Sequence, residues 1–185
     1  MLRTERLVLT IPGARAADAC ARFNLANREH LAPWSPVMTA RDFETSAWRE
    51  TLEHLVGSAR SGSKYAFCIF DRQSGLDGPL LGYLNFSEIV RGVFQACYMG
   101  YALAESAQGR GCMTEAARAG IDFIFNEVRL HRIMANYVPH NARSAAVLQR
   151  LGFTVEGTAR DYLYLAGAWQ DHVLTSLTNP SPIVL

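Results

Sequence analysis

Long apolar runs and an excess of charge of one sign are both absent from this sequence of 185 residues. Arg, Asp, Glu or Asn interrupts every apolar stretch before about 18 residues, which excludes a membrane-spanning helix. Lys and Arg number 18 against 17 for Asp and Glu, so the formal net charge is +1. That balance does not favour a surface that follows nucleic-acid phosphates, which calls for a pI above about 9. We therefore expect neither a membrane nor a nucleic acid among the direct partners.

Cysteine is scarce, and its spacing does not suit a ligand set. The four cysteines, Cys20, Cys68, Cys97 and Cys112, form no C-x-x-C pair, and no two histidines have the spacing of a zinc site. Cys68 and Cys97 lie in apolar runs, where cysteine usually acts as a small hydrophobic residue. The first residues, with Glu5 among basic ones, do not resemble a secretory signal. The sequence thus predicts a cytoplasmic protein without a disulfide or a bound metal.

What is present is the composition of a folded domain. Hydrophobic residues make up 49% of the chain and charged residues 19%, which excludes an intrinsically disordered protein. A chain of this length buries roughly 70% of the surface that it exposes when unfolded. No linker, internal repeat or low-complexity stretch divides it, so we expect one domain over residues 1–185.

Hydrophobic periodicity and turn residues predict an ordered series of strands and helices. A capping box of Thr39 and Asp42 is expected to start the second helix. Strands are predicted at residues 6–11, 65–70, 80–90, 94–103, 133–138, 155–165 and 169–177, and helices at 16–29, 43–57, 116–128 and 142–151. This order predicts an α/β fold of the α+β kind, with a mixed, largely antiparallel central sheet and helices on both faces.

The most informative segment, residues 108–113 (Gln-Gly-Arg-Gly-Cys-Met), joins a predicted strand to a predicted helix. A helix N-terminus offers unpaired backbone N–H groups and about half a positive charge, so it attracts anions. Small residues before it let a ligand approach the backbone, and Arg110 adds a charge that could reach an outer phosphate. The alternative, in which Gly109 and Gly111 only form a tight turn, stays open.

Two nucleotide-binding families do not fit this segment. A P-loop requires Gly-Lys followed by Ser or Thr at the start of the helix, and the sequence has no such triplet. The dinucleotide fingerprint requires a third glycine where Thr114 stands, and it should open the first βαβ unit rather than follow an antiparallel meander.

The segment instead resembles the acetyl-CoA loop of the GNAT family of N-acetyltransferases, Gln/Arg-x-x-Gly-x-Gly/Ala. Gln108 and Gly111 match, and Met113 stands at the last position, as is usual in the branch that acetylates N-terminal residues of ribosomal proteins. Longer runs resemble that branch over nearly the whole chain, namely residues 90–101, 131–141, 151–153, 161–163 and 169–175. The resemblance implies the GNAT fold, acetyl-CoA as co-substrate, and the N-terminal alanine of a small-subunit ribosomal protein as acceptor.

The chemistry that the resemblance implies is direct transfer, in which an amine attacks the thioester carbonyl and CoA thiolate leaves. Wider family members often protonate the sulfur with a Tyr seven residues after a conserved Asn, but that position here is Leu148. We therefore predict Ser144 as the donor and Asn141 as a ligand of CoA or water, although both could only cap the helix. The residues expected to bind the cofactor are Gly100, Tyr101, Ala102, Leu103, Gln108, Gly109, Arg110, Gly111, Cys112, Met113, Asn141 and Ser144.

No carboxylate stands out as the general base. An α-amine with a reference pKa near 8 pays about 1.4 kcal/mol to be neutral at pH 7, so a water held by Glu88, Glu105 or Asp161 would suffice. Trp34, in a proline-flanked loop, is expected on the peptide-accepting side, and His172 in the substrate groove or at the sheet edge.

Two other functions remain compatible with the sequence. The same fold could acetylate a small-molecule amine or an antibiotic, because one fold hosts many acceptors. The chain could also be a non-catalytic, CoA-binding ribosome-assembly factor.

Overall fold

The structure is a computed structural model that describes residues 1–181. Its strands are β1 Leu2–Arg3, β2 Leu7–Thr10, β3 Tyr65–Asp71, β4 Leu80–Val90, β5 Ala96–Leu103, β6 Arg132–Tyr137, β7 Thr154–Leu165 and β8 Ala168–Thr178. Its α-helices are α1 Ala17–Ala26, α2 Arg28–Leu31, α3 Thr45–Ser61, α4 Cys112–Asn126 and α5 Ala142–Arg150. Apart from the two-residue β1 and the short α2, these are the strands and helices that the periodicity predicts, in the same order.

The eight strands form one sheet in the order β1-β2-β3-β4-β5-β6-β8-β7. Every neighbouring pair is antiparallel except β5 and β6, which run parallel because α4 connects them. The predicted meander is therefore confirmed as β3-β4-β5, and the mixed, largely antiparallel α/β sheet is confirmed as a whole.

Helices cover both faces of the sheet, as predicted. Along β3, Phe67 and Ile69 pack into a core with α4 and α5, whereas Cys68 and Phe70 pack into a second core with α1 and α3. Side chains alternate between the faces of a strand, so this run of consecutive apolar residues supplies both cores at once.

The helix α4 lies unusually close to the middle of the sheet. A Cβ built on Gly120 would come within 2.5 Å of Leu84 and 2.8 Å of Phe86, both fully buried on β4. The missing side chain at Gly120 therefore sets the depth of α4 and, through it, the position of the loop before α4.

Two predicted helix starts are wrong. α4 begins at Cys112 rather than at residue 116, because Gly111, at φ +74°, ends the loop and the next residues turn helical at once. The capping box of Thr39 and Asp42 does form, but on a separate 3-10 helix, Ala40–Phe43. Glu44 is extended and separates that turn from α3.

Among residues 1–181, no helix combines the length and the apolar character that crossing a membrane requires.

Candidate active site

The parallel strands β5 and β6 separate part-way along their length. Their backbones pair at three positions only: Ala96 with Arg132, Cys97 with Ile133, and Tyr98 with Met134. Beyond Tyr98, β5 stays bonded to β4 as far as Leu103, while β6 stays bonded to β8 as far as Tyr137. The facing edges of β5 and β6 therefore carry backbone N–H and C=O groups that are free to bind a ligand.

A cavity of about 2040 Å³ opens where the strands separate. It runs from the loop before α4, past the exposed edge of β5, to the loop after β6. All but one of the predicted cofactor-binding residues line it, namely Gly100, Tyr101, Ala102, Leu103, Gln108, Gly109, Gly111, Cys112, Met113, Asn141 and Ser144.

Arg110 is the exception, because its guanidinium folds back along its own loop. Nη2 donates a 2.8 Å hydrogen bond to the carbonyl of Ser106, and the Arg110 carbonyl accepts one of 2.9 Å from Arg6 Nη1. In this conformation the side chain does not line the cavity.

The start of α4 has the geometry of an anion site. Gly109 and Gly111 both adopt φ +74°, a left-handed conformation that glycine reaches without steric cost. No side chain caps the helix, so the N–H groups of its first turn are left for a ligand. Cys112 and Met113 contribute those N–H groups while their own side chains are buried in the core. A phosphate-bearing ligand such as CoA suits this end of the cavity.

An ion pair connects this helix start to the turn between β1 and β2. Arg6 Nε donates to Glu115 Oε2 at 2.7 Å, its backbone N–H donates to Oε1 at 2.9 Å, and Thr4 Oγ1 donates to Oε1 at 2.6 Å. Burial by itself would raise the pKa of Glu115, but the hydrogen bonds from Thr4 and Arg6 outweigh it and lower that pKa. The same hydrogen bond with Glu115 raises the pKa of Arg6.

Two hydroxyl groups meet at the opposite wall of the cavity. Tyr101 Oη and Ser144 Oγ share a 2.8 Å hydrogen bond, and Tyr101 Oη also lies 3.3 Å from the Ser144 carbonyl. Burial raises the pKa of Tyr101 to about 12, although the hydrogen bond with Ser144 partly offsets this. Asn141 caps α5, since its Oδ1 accepts a 3.0 Å hydrogen bond from the Ser144 N–H. Capping uses only Oδ1 of Asn141 and the N–H of Ser144, so it leaves the Nδ2 group of Asn141 available to a ligand, while the Ser144 hydroxyl bonds to Tyr101.

The three carboxylates considered as bases are not together. Glu105 is exposed and lines the cavity, and its backbone N–H donates to Asn27 Oδ1 at 3.0 Å. Glu88 and Asp161 line no part of the cavity. Both are exposed and sit at irregular points of β4 and β7, at φ 50° and 46°.

Contacts between loops bridge one side of the cavity. The ring of Trp34 lies 5.3 Å from that of His140, centroid to centroid, and both line the cavity. The Ala166 N–H, in the β7–β8 turn, donates to the Ser35 carbonyl at 2.9 Å. Trp34 is thus half-buried at the groove rather than anchored in the core.

The structure also shows polar contacts that the sequence does not predict. The side chains of Gln108 and His30 are hydrogen-bonded at 2.8 Å, which joins the loop before α4 to α2. On the sheet, Tyr162 Oη lies 3.3 Å from Tyr98 Oη and accepts a 3.2 Å hydrogen bond from Asn136 Nδ2. The alternation of side chains along β6 places Asn136 and Met134 on one face, but nothing in the sequence predicts that Asn136 meets Tyr162 of β7.

No group of three or more His, Cys, Asp or Glu side chains in residues 1–181 is arranged to hold a metal ion. A gap between two strands that leads to an uncapped helix start suits a long ligand with a phosphate at one end. The family model of the acetyltransferase (GNAT) domain matches residues 6–154, so the chain belongs to the GNAT family. It is an N-acetyltransferase whose acetyl donor is acetyl-CoA.

Individual relatives of the chain indicate which kind of N-acetyltransferase it resembles. The chain is 43% identical over 179 residues to the ribosomal protein uS5-alanine N-acetyltransferase of Escherichia coli (strain K12), covering 97% of this chain and 91% of that protein. The ribosomal-protein-S5-alanine acetyltransferase of Vibrio fischeri superposes with a TM-score of 0.90 at 37% identity, covering 96% of each chain. RimJ of Mycobacterium smegmatis, solved in complex with CoA-disulfide, superposes with a TM-score of 0.82 at 33% identity, covering 94% of this chain and 85% of its own.

Proposed function

We propose that this chain transfers the acetyl group of acetyl-CoA to the N-terminal amine of a protein that begins with alanine, and that this protein belongs to the small ribosomal subunit. The supporting observation is the 43% identity, over 97% of the chain, to an enzyme named for the alanine of ribosomal protein uS5. We further propose that residues 1–185 act as one domain and that the enzyme works in the cytoplasm.

Acetyl-CoA supplies an activated thioester. The first turn of α4, with Gly109 and Gly111 before it, holds the phosphates through backbone N–H groups. The free edge of β5 from Gly100 to Leu103 hydrogen-bonds the pantetheine amides. Its N–H groups near the point where β5 and β6 separate stabilise the negative charge that develops on the thioester oxygen.

Ser144 protonates the departing sulfur. Its hydroxyl lies at the N-terminal end of α5, where the helix dipole stabilises a developing thiolate. The 2.8 Å hydrogen bond with Tyr101 orients the hydroxyl and offers a second proton behind it. The raised pKa of Tyr101 keeps its phenol protonated at neutral pH.

The groove beneath Trp34 and His140 admits the acceptor. A chain end passes under a bridged groove more easily than an internal lysine, which must bring the peptide on both sides of it. An α-amine is also the easier nucleophile, since a lysine amine with a reference pKa near 10.4 pays about 4.6 kcal/mol to be neutral at pH 7.

The experiment is a CoA-thiol release assay with acetyl-CoA and a panel of acceptors. One arm uses short peptides that begin with alanine, and a second uses the same peptides with a blocked N-terminus and an internal lysine. A third arm uses aminoglycosides and polyamines, which represent the small-molecule alternative. Turnover in the first arm only is expected; turnover confined to either of the others contradicts the proposed acceptor, and turnover in none contradicts the proposed reaction.

A further inference from the structure

The acceptor side of the cavity contains a histidine that none of the roles above uses. His172, on β8, is 2% exposed and lines the cavity. Its Nδ1 lies 2.9 Å from the carbonyl oxygen of Gln170. A carbonyl oxygen only accepts, so Nδ1 carries the hydrogen of this bond.

This fixed tautomer determines the state of the other ring nitrogen. In a neutral imidazole whose Nδ1 is protonated, Nε2 has a free lone pair and acts as a proton acceptor. His172 Nε2 has no hydrogen-bond partner within residues 1–181. Within residues 1–181, the only side-chain polar atom that is buried from solvent and lacks a hydrogen-bond partner is Tyr83 Oη. His172 Nε2 also lacks a partner, so it is not buried in this way and stays accessible from the cavity.

The sheet register places His172 just past the end of β6, on the side of the point where β5 and β6 have already separated. Asn136 of β6 pairs with Leu174 of β8, so His172, two residues along β8, is a diagonal neighbour of Asn136 on the same face. Tyr162 connects the two, because its hydroxyl accepts from Asn136 and its ring lies 5.5 Å from the His172 ring. Asn136 also lines the cavity. An amine that approached the thioester over this face would pass both Asn136 and His172.

We propose that Nε2 of His172 accepts the proton of the attacking amine. This assignment rests on the proposed function, since it names the base for that reaction. The amine nitrogen forms a bond to the acetyl carbon and gives up a proton to Nε2, the carbon–sulfur bond breaks, and the sulfur leaves with a proton from Ser144. His172 then releases its proton to solvent and Ser144 regains one, so the net products are the amide and CoA thiol.

Within residues 1–181, no charged side chain is found in contact with the His172 ring. From β7 it meets Tyr162, whose pKa is raised to about 12 by its hydrogen bond with Tyr98 and by burial, so that it is neutral over the working range. Its diagonal neighbour on β6 is the uncharged Asn136. Asp171, the adjacent residue on β8, is exposed, and its Oδ1 accepts from the Asp161 N–H at 2.9 Å. Glu105 lines the same cavity and is exposed to solvent.

The test is the substitution His172→Asn, whose amide can still donate to the Gln170 carbonyl but has no basic nitrogen. With an alanine-initiated peptide, kcat is expected to fall about 10²-fold, as general-base catalysis contributes at least this much. The Kd for acetyl-CoA should stay within twofold. The deficit in kcat should shrink as the pH rises from 7 to 10, because hydroxide then replaces the missing base. A purely structural defect would give a deficit that does not change with pH.

The matched control is His131→Asn, the same change at an exposed histidine outside the cavity, which should leave kcat unchanged. His172→Gln replaces His172→Asn if circular dichroism shows that the first variant is unfolded. A kcat within threefold of the parent, or a deficit independent of pH, overturns the assignment. The unsubstituted protein tests the proposed function separately: if it fails to acetylate the alanine peptide but turns over another amine, the variants are measured with that amine.

Discussion

Ser144 and Tyr101 face each other across the gap between α5 and β5, and their hydroxyl oxygens are 2.8 Å apart. Within residues 1–181, no charged side chain is hydrogen-bonded to either hydroxyl. Burial keeps the phenol of Tyr101 protonated, with a pKa of about 12. The pair lies at the N-terminal end of α5, where a developing negative charge is stabilised. These two side chains are therefore the proton source that we propose for the leaving sulfur.

Replacing the serine should slow the reaction without weakening cofactor binding. For Ser144→Ala we expect kcat to fall about 10²-fold, since a positioned general acid contributes at least this much. The Kd for acetyl-CoA, measured by calorimetry, should stay within twofold. Ser46→Ala, at an exposed serine on α3, serves as the control. A variant with unchanged kcat would show that Ser144 only belongs to the helix cap.

Removal of the tyrosine hydroxyl should have a smaller effect of the same kind. Tyr101→Phe leaves Ser144 in place but unpaired, and we expect kcat to fall about tenfold, the equivalent of about 1.4 kcal/mol for one hydrogen bond. Because burial raises the pKa of Tyr101, ionisation of this phenol should cause no loss of kcat below pH 10 in the unsubstituted protein. A pH–rate profile checks this point, and an alkaline loss near pH 9 that disappears in Tyr101→Phe would contradict it.

The left-handed glycine at the start of α4 should be required for cofactor affinity. A Cβ at Gly111 has room, since its nearest neighbour, Arg6 Nη2, is 3.6 Å away, but φ +74° costs an L-residue about 1–2 kcal/mol. The loop is expected to relax and turn its N–H groups away, raising the Kd for CoA about tenfold. Gly92→Ala is the control, because Gly92 has φ +69° in the distant β4–β5 turn and a Cβ there would also meet no clash. Equal effects of both substitutions on the Kd would rule out a specific role of Gly111.

The close approach of α4 to the sheet predicts opposite effects at two helical glycines. Gly120→Ala forces a Cβ against Leu84 and Phe86, so we expect the free energy of unfolding to fall by about 1–3 kcal/mol. Gly57→Ala, on the exposed side of α3 with nothing within 4 Å, should raise it by about 0.5–1 kcal/mol through helix propensity. Urea unfolding of both variants measures the difference. Stabilisation by alanine at both positions would mean that α4 lies further from β4.

The lowered pKa of Glu115 predicts acid sensitivity. A carboxyl whose pKa is lower in the folded than in the unfolded state adds stability above its unfolded value, here 4.5, and that stability is lost as the pH falls through the folded value. Glu115→Gln should therefore lower the free energy of unfolding by about 1 kcal/mol at pH 7 and less below pH 4. Urea unfolding at several pH values tests this. A loss that is the same at pH 7 and pH 3 would contradict the assigned ion pair.

Most of the fold could be predicted from the sequence because its signals are local. The run of apolar residues in β3 and the glycines before α4 are signals that depend only on neighbouring residues, and both predict the observed structure. The sequence predicts the start of α4 too late in the chain, because Cys112 and Met113 look like loop residues until their burial against the sheet is known. The sequence correctly predicts a capping box at Thr39. It places the box at the start of α3 instead of on the 3-10 helix, because nothing in the sequence shows that Glu44 is extended.

The parts of the site that the sequence does not predict depend on contacts between segments that are far apart in the chain. Trp34 meets His140, and His172 meets Tyr162, only because the loops and strands that carry them converge. No spacing rule reports such a pairing. The assignment of His172 as the proposed base therefore depends on the sheet register and not on the residue types alone.

The position of the acetyl group on the product tests the central claim most directly. A peptide with a free N-terminal alanine and one internal lysine is incubated with the protein and acetyl-CoA, and tandem mass spectrometry locates the modification. Our account predicts acetylation of the α-amine of alanine, with the lysine unmodified. Acetylation of the lysine with the alanine amine left free would contradict it.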